Sequence, residues 1–334
     1  MKSKPAASDN PKEKKPSYLI AYEQGILRPR AQNAMSFLES CVICPRKCRV
    51  NRLKSEPGFC GGRLNPVVYS YLAHHGEEPP ISGIDGSGTI FFSGCNMRCV
   101  YCQNFEFSQS PEKGMEVDSK KLAGIMLKLQ GMNCHNINLV TPTHVMPQIL
   151  MALNLAIPKG LKIPLVYNTG GYDSVEMIKL LDGIVDIYLA DMRYSDPAAA
   201  LKYSCAADYS GYNREVVKEM HRQVGEAVID PDGIMKSGII IRHLVLPHDI
   251  SGTKKTMEFI ANEVSEDTYI SLMSQYLPLY KAIQFKDIAR RINQQEYEFA
   301  QEIMHSYGIF NGWTQEAGGL DSFAGTNIKP INEE

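Results

Sequence analysis

Cys95-Asn96-Met97-Arg98-Cys99-Val100-Tyr101-Cys102 places three thiols at CxxxCxxC spacing. Three thiolates so spaced can wrap one corner of an iron–sulfur cubane. A complete 4Fe–4S cluster takes four cysteines, so a local set of three leaves one iron open to a substrate or cofactor. The spacing also admits a zinc site completed by a remote ligand, or an electron-transfer cluster whose fourth cysteine lies elsewhere. A second set, Cys41, Cys44, Cys48 and Cys60, lies upstream. Four thiolates can close a zinc site or hold an auxiliary 4Fe–4S cluster, and both readings stand. Arg46 and Lys47 stand between two of these cysteines, where positive charge favours the thiolate forms. Tight clustering in a chain with no export signal points to metal ligation more than to disulfides. Cys134 and Cys205 stand apart and read as ordinary small, buried side chains.

Thiols can be held at fixed positions only by elements that carry them. Residues 16–40 form a mildly helical run, and 41–86 read as loop, dense in Cys, Gly, Pro and Arg. From residue 87 strand-like and helix-like segments alternate. Strands are expected at 88–92, 136–141, 163–168, 184–191, 238–246 and 269–274. Apolar residues at helical spacing follow each of them, as in Leu122, Ile125, Met126 and Leu129. The helix after the third strand is expected to open at Asp173, with Glu176 completing a capping-box-like start. The strands are near-continuous apolar runs, which suits a parallel α/β sheet covered on both faces. Six such units fit a partial (β/α)6 barrel, with a doubly wound sheet as the rival. In a barrel the C-terminal strand ends face the active site, and the three-cysteine motif begins at such an end.

The segment IDGSGTIFFSGCNMRCVYCQN resembles the signature region of radical S-adenosylmethionine enzymes, most closely the pyruvate formate-lyase activating enzyme group. The resemblance includes Tyr101 before the third cysteine and the Gly-rich strand leading in, and it extends weakly over residues 87–285. It implies a partial (β/α)6 barrel of the radical SAM type, to which the upstream cysteine-rich segment is an N-terminal extension read from the residues alone. It also implies a 4Fe–4S cluster on Cys95, Cys99 and Cys102, with S-adenosylmethionine chelating the open iron. One electron passed to the sulfonium would release a 5′-deoxyadenosyl radical that abstracts hydrogen from a substrate. An electron donor such as flavodoxin or ferredoxin is implied as a partner. Activation of a glycyl-radical enzyme is one implied role; modification of another protein, a peptide or a small metabolite is equally open.

The other strand ends supply candidates for the cofactor. Thr141 and His144 follow the second strand, where activating enzymes carry a Gly-Gly-Glu segment that this chain lacks. Asn168 ends the third strand in a turn that resembles the family's Thr-Asn-Gly. Asp191 ends the fourth, in LADMR where relatives read Leu-Asp-Leu-Lys. Arg242 interrupts an apolar strand, a costly place for a charge unless it is paired or faces a polar cavity. Gln275 is a weaker candidate for the same cavity. His74, His75, Glu77 and Glu78 read as a polar loop. On a strand, at most one of each adjacent pair would reach the cavity.

The chain has 334 residues and 35 Lys+Arg against 37 Asp+Glu, which leaves no basic surplus for nucleic acid or a membrane surface. A composition 44% hydrophobic and 22% charged is that of a soluble globular protein, with no run of the length a membrane span needs. The start of the chain has no apolar segment of the secretory type, so a cytoplasmic protein is expected. The expected division is a disordered tail over 1–15, the extension over 16–86, the barrel over 87–310 and a tail over 311–334. The rival class is an interaction module in which both cysteine sets are structural zinc or electron-transfer sites.

Overall fold

The computed structural model describes residues 15–314. The expected N-terminal tail, apart from Lys15, and most of the expected C-terminal tail lie outside the described residues. Ten strands form in chain order: β1 (Val67–His74), β2 (Ser87–Phe92), β3 (Met115–Glu116), β4 (Ile137–Val140) and β5 (Leu165–Thr169) come first. They are followed by β6 (Ile187–Asp191), β7 (Val228–Ile229), β8 (Met235–Leu244), β9 (Tyr269–Met273) and β10 (Gly312–Thr314). All belong to one mixed sheet in the order β10-β9-β8-β6-β5-β4-β2-β1-β3, with β7 paired to β8. The central strands run parallel from β2 through β4, β5, β6, β8 and β9 to β10. Their order never reverses, as it would at the switch point of a doubly wound sheet.

Alternation along each strand sorts side chains between two buried faces. Phe92, Leu139, Tyr167, Tyr188, Ile241 and Leu272 enter the main core with Met126, Leu153, Ile178, Met220, Met257 and Ala300 from the intervening helices. Their neighbours Phe91, Val140, Asn168, Asp191, Arg242 and Met273 turn to the opposite face and line a cavity at the strands' C-terminal ends. Both faces are covered, which is why these strands lack a polar alternation in sequence.

The six expected strands and their helices are present, and the fold adds elements at both ends. The stretch 41–86, read as loop, contains β1, which pairs antiparallel with β2. Its weak signal follows from its place near the sheet edge, where only Val68, Tyr69 and Ser70 are fully buried. Gly312–Thr314, read as part of a tail, pairs in parallel with β9. The helix Val175–Leu180 is preceded by Ser174, not capped by Asp173. Asp173 turns inward instead, because two hydroxyls claim its carboxylate.

Candidate active site

Gly94 (φ +84°) turns the chain out of β2 into the three-cysteine loop, and a Cβ there would lie 2.4 Å from Cys60 O. Within the loop the sulfurs face hydrogen-bond donors. Cys95 Sγ accepts the Met97 N–H at 3.4 Å, and Cys99 Sγ accepts the Ser204 hydroxyl at 3.0 Å. Cys102 Sγ lies 3.1 Å from Ser108 Oγ. All nine cysteines are free thiols. Burial, and then the neighbouring Cys99, raises the Cys95 thiol, and the same causes push Cys102 up to about 11. A bound metal would draw those protons off.

Among the described residues, no three His, Cys, Asp or Glu side chains gather closely enough to hold one metal ion. A cubane does not ask this of them, since each thiolate binds its own iron. Three free thiols on one loop, Cys99 buried and Cys95 and Cys102 partly so, with N–H and O–H groups close to sulfur, fit a thiolate-ligated cluster.

A cavity of about 430 Å³ opens beside this loop. A smaller one of about 150 Å³ shares Asp191, Arg193 and Arg242 with it and reaches Tyr101 and Cys102. Two partly buried guanidiniums organise the walls. Arg242 bonds Glu77 at 2.5 Å, Glu78 at 2.8 Å and Asn168 Oδ1 at 3.1 Å. Arg193 pairs with Asp191 at 2.5 Å and reaches to 3.7 Å from Cys99 Sγ. Burial works against both charges. Glu78 and Glu77 outweigh it at Arg242, and Asp191 with Cys99 outweighs it at Arg193, so both arginines stay firmly protonated.

The turn after β5 is braced from behind. Tyr167 donates to Asp173 Oδ1 at 2.9 Å and Thr169 to Oδ2 at 2.6 Å, while Thr169 Oγ1 receives the Gly171 N–H. Burial raises the Asp173 carboxyl against the pull of these bonds. Tyr209 OH lies 2.9 Å from Gly170 O and 3.0 Å from Asp191 O, and accepts the Arg193 N–H. Asn213, one helical turn on, donates to Gly171 O and Asp191 O. Gly171 (φ +73°) must be glycine, because a Cβ would meet Asn213 Nδ2 at 2.2 Å. Thr141 stands at φ 59°, an uncommon left-handed conformation for a β-branched residue, at the cavity wall.

Of the residues singled out in the sequence, Thr141, Asn168, Asp191, Arg242 and Gln275 line the large cavity, and Tyr101 and Cys102 the smaller one. His144 does not join them. Its Nε2–H donates to Ser93 O at 2.8 Å within a wall facing a separate cleft. It is turned there because the 3-10 turn Pro142–Val145 packs against Ser93, the residue that follows the C-terminal end of β2. The polar-loop reading of His74–Glu78 is also corrected. His74 ends β1 and faces the cavity, whereas His75 is exposed. Both Glu77 and Glu78 reach Arg242, because the chain there is an irregular bend and strand alternation does not apply.

Sequence reasoning missed Arg193, Tyr209 and Asn213. Arg193 stands two residues after Asp191 in LADMR, a signal at hand once Asp191 was singled out. Tyr209 and Asn213 carry no comparable signal, since helical polar residues of this kind are usually surface. Of the lone cysteines, Cys134 is buried as expected, but Cys205 is exposed, ending a helix in the left-handed conformation. The upstream set lies against the three-cysteine loop, with Cys41, Cys44 and Cys60 buried and Cys48 partly so. No helix among the described residues is long and apolar enough to cross a membrane.

No family model matches the sequence. A solved structure, the crystal structure of HydG, a maturase of the [FeFe]-hydrogenase, aligns with a TM-score of 0.40 at 12% identity. That alignment covers 65% of this chain and 48% of HydG, so the chain spans about half the length of that structure. Among curated proteins, the uncharacterized protein MJ0808 of Methanocaldococcus jannaschii is 33% identical over 21% of this chain and 25% of its own length. The uncharacterized protein MJ0674 of the same organism is 32% identical over 85% of this chain and 80% of its own length. The chain belongs to the family of MJ0674.

Proposed function

We propose that this chain is a radical S-adenosylmethionine enzyme, with a 4Fe–4S cluster on Cys95, Cys99 and Cys102 and the cofactor in the adjoining cavity. The observation that carries the reading is the convergence of three free, donor-facing thiols with a charged cavity at the ends of the parallel strands. The unreversed strand order supports the partial (β/α)6 barrel. When bound, such a cluster supplies one electron to the sulfonium, whose carbon–sulfur bond breaks to yield the 5′-deoxyadenosyl radical that takes hydrogen from the substrate.

The chain's own residues bind and orient. The large cavity is lined by Glu77, Glu78 and Asp191 against Arg193 and Arg242, a surplus of carboxylate. S-adenosylmethionine carries one net positive charge, from its ammonium, sulfonium and carboxylate, and suits that surplus. Asp191 and Asn168 offer acceptors for an ammonium or ribose hydroxyls. Arg193, between Asp191 and Cys99, places its positive charge 3.7 Å from the sulfur. Phe91, Val140, Met273 and Trp313 line the same space and exclude water from a reactive radical.

The resemblance extends the proposal to activation of a glycyl-radical enzyme in the cytoplasm, with flavodoxin or ferredoxin as electron donor and a protein or peptide as substrate. The test is anaerobic incubation of the reconstituted protein with S-adenosylmethionine and a strong reductant, assayed for 5′-deoxyadenosine. Product that disappears in Cys99→Ala is the expected result. A fully reduced protein that neither forms product nor changes its cluster spectrum on adding S-adenosylmethionine would return the chain to the class of interaction modules.

A further inference from the structure

The four upstream cysteines have no part in the cofactor cavity, yet their surroundings are built for negative charge. Cys48 Sγ accepts the Phe59 N–H and Cys60 Sγ the Gly62 N–H, both at 3.3 Å. A backbone N–H of Arg46 is directed at Cys44 in the same way. The side chain of Arg52 is fully buried and bonds only carbonyls: Arg63 O at 2.8 and 3.1 Å, and His144 O at 2.7 Å. Among the described residues no carboxylate pairs with it. Its guanidinium lies against Cys60, since a Cβ on Gly62 would stand 2.8 Å from Arg52 Nη2 and 3.1 Å from Cys60 Sγ. A buried cation without an anion is costly by several kcal/mol. An anionic metal–thiolate centre at these cysteines supplies what Arg52 lacks.

The arrangement of the thiols selects the kind of centre. Cys44 and Cys60 each lie within electrostatic reach of Cys41 and Cys48, and a Cβ on Gly58 would stand 3.7 Å from Cys48 Sγ and 3.8 Å from Cys60 Sγ. In a tetrahedral zinc site their sulfurs would sit about 3.8 Å apart around one ion, yet no three of them gather on a common point among the described residues. Thiolates at the corners of a cubane stand farther apart. We propose that Cys41, Cys44, Cys48 and Cys60 hold a second, fully ligated 4Fe–4S cluster, with Arg52 as its buried counter-ion.

The two cysteine loops interlock. Arg46, between Cys44 and Cys48, donates to Asn96 O at 2.9 Å, and Arg98, between Cys95 and Cys99, donates to Phe59 O at 2.8 Å. The Phe59 ring packs against both guanidiniums, at 4.0 and 4.8 Å. The second cluster is thereby held as a rigid neighbour of the first loop.

The experiment counts metal per chain after anaerobic reconstitution with iron and sulfide in the presence of equimolar zinc. The wild type is expected to hold about eight iron and eight sulfide. A Cys95→Ala/Cys99→Ala/Cys102→Ala variant is expected to keep about four of each, with no stoichiometric zinc. Removing Cys44 in that background abolishes the remainder. This count does not depend on 5′-deoxyadenosine formation, so its outcome is separate from that of the proposed activity. One zinc and no iron in the triple variant overturns the proposal. So does a Cys44→Ala variant of the otherwise intact chain that holds as much iron as the wild type, a reading that stands even if the triple variant does not fold. Arg52→Met is expected to lower the midpoint potential of the retained cluster, and Arg52→Lys to restore it; equal potentials in all three remove Arg52 as counter-ion.

Discussion

The two cysteine loops touch each other but are built on opposite plans. The loop of Cys95, Cys99 and Cys102 leaves the end of a central parallel strand and opens on a cavity, so its chemistry is accessible to a ligand. The loop of Cys41, Cys44, Cys48 and Cys60 belongs to no regular element and is closed by Arg52, Arg46 and Phe59. Three thiols at a strand end suit reactivity, and four in a closed loop suit a saturated centre. The difference shows that ligand number alone does not assign a role. Position relative to the strand ends does so, because there the inner-face residues of several strands converge on one space.

The sharpest break of this comparison comes from Cys99→Ala, which is expected to abolish 5′-deoxyadenosine formation while leaving upstream iron in place. Loss of all iron in that variant would mean that the loops assemble as one unit. Next is Arg242→Met, which leaves Glu77 and Glu78 buried without a cation. Denaturant unfolding is expected to show a loss of about 3–5 kcal/mol, recovered in large part by adding Glu77→Gln and Glu78→Gln. A loss under 1 kcal/mol would show that the cluster of charges is solvated.

The joint between the loops is testable by pH. His144 is held neutral, its pKa lowered from 6.5 to about 4 by burial and then by Arg52. A neutral native imidazole contributes stability that is complete above 6.5 and is lost as pH falls toward 4. His144→Gln keeps a donor for Ser93 O and is expected to flatten that limb of the stability profile, an effect of up to about 3 kcal/mol. A variant with the wild-type slope would assign the acid limb elsewhere. The smallest expected effect is that of Gly94→Ala, about 2 kcal/mol. Its left-handed φ and the Cβ's 2.4 Å approach to Cys60 O force the loops apart. Faster amide exchange at residues 58–62 would accompany it; unchanged exchange would show that the loops are not coupled through this contact.

How much of this was readable beforehand differs by residue. The strand–helix succession and the cavity positions of Thr141, Asn168, Asp191 and Arg242 followed from periodicity and from the strand ends. β1 and β10 did not, because β1 lies beside the two-residue edge strand β3 and is buried only at Val68, Tyr69 and Ser70, and β10 is a three-residue edge strand. Glu77 and Glu78 carried no local sign of their shared partner, which lies more than 160 residues away. Arg193 was masked by Asp191, although the two form one ion pair.

The sequence by itself determined the covalent spacing of both thiol sets and the periodicities that order the parallel strands, since these are properties of neighbours along the chain. Only the tertiary structure decided which charges share the cavity and that His144 turns away from it. It also decided that Arg52 is a buried cation against Cys60, and that the two cysteine loops are locked by exchanged arginines. The physical reason is the same in each case. Burial makes an ion or a polar group depend on partners brought in from distant segments, and no local pattern records which segment supplies them.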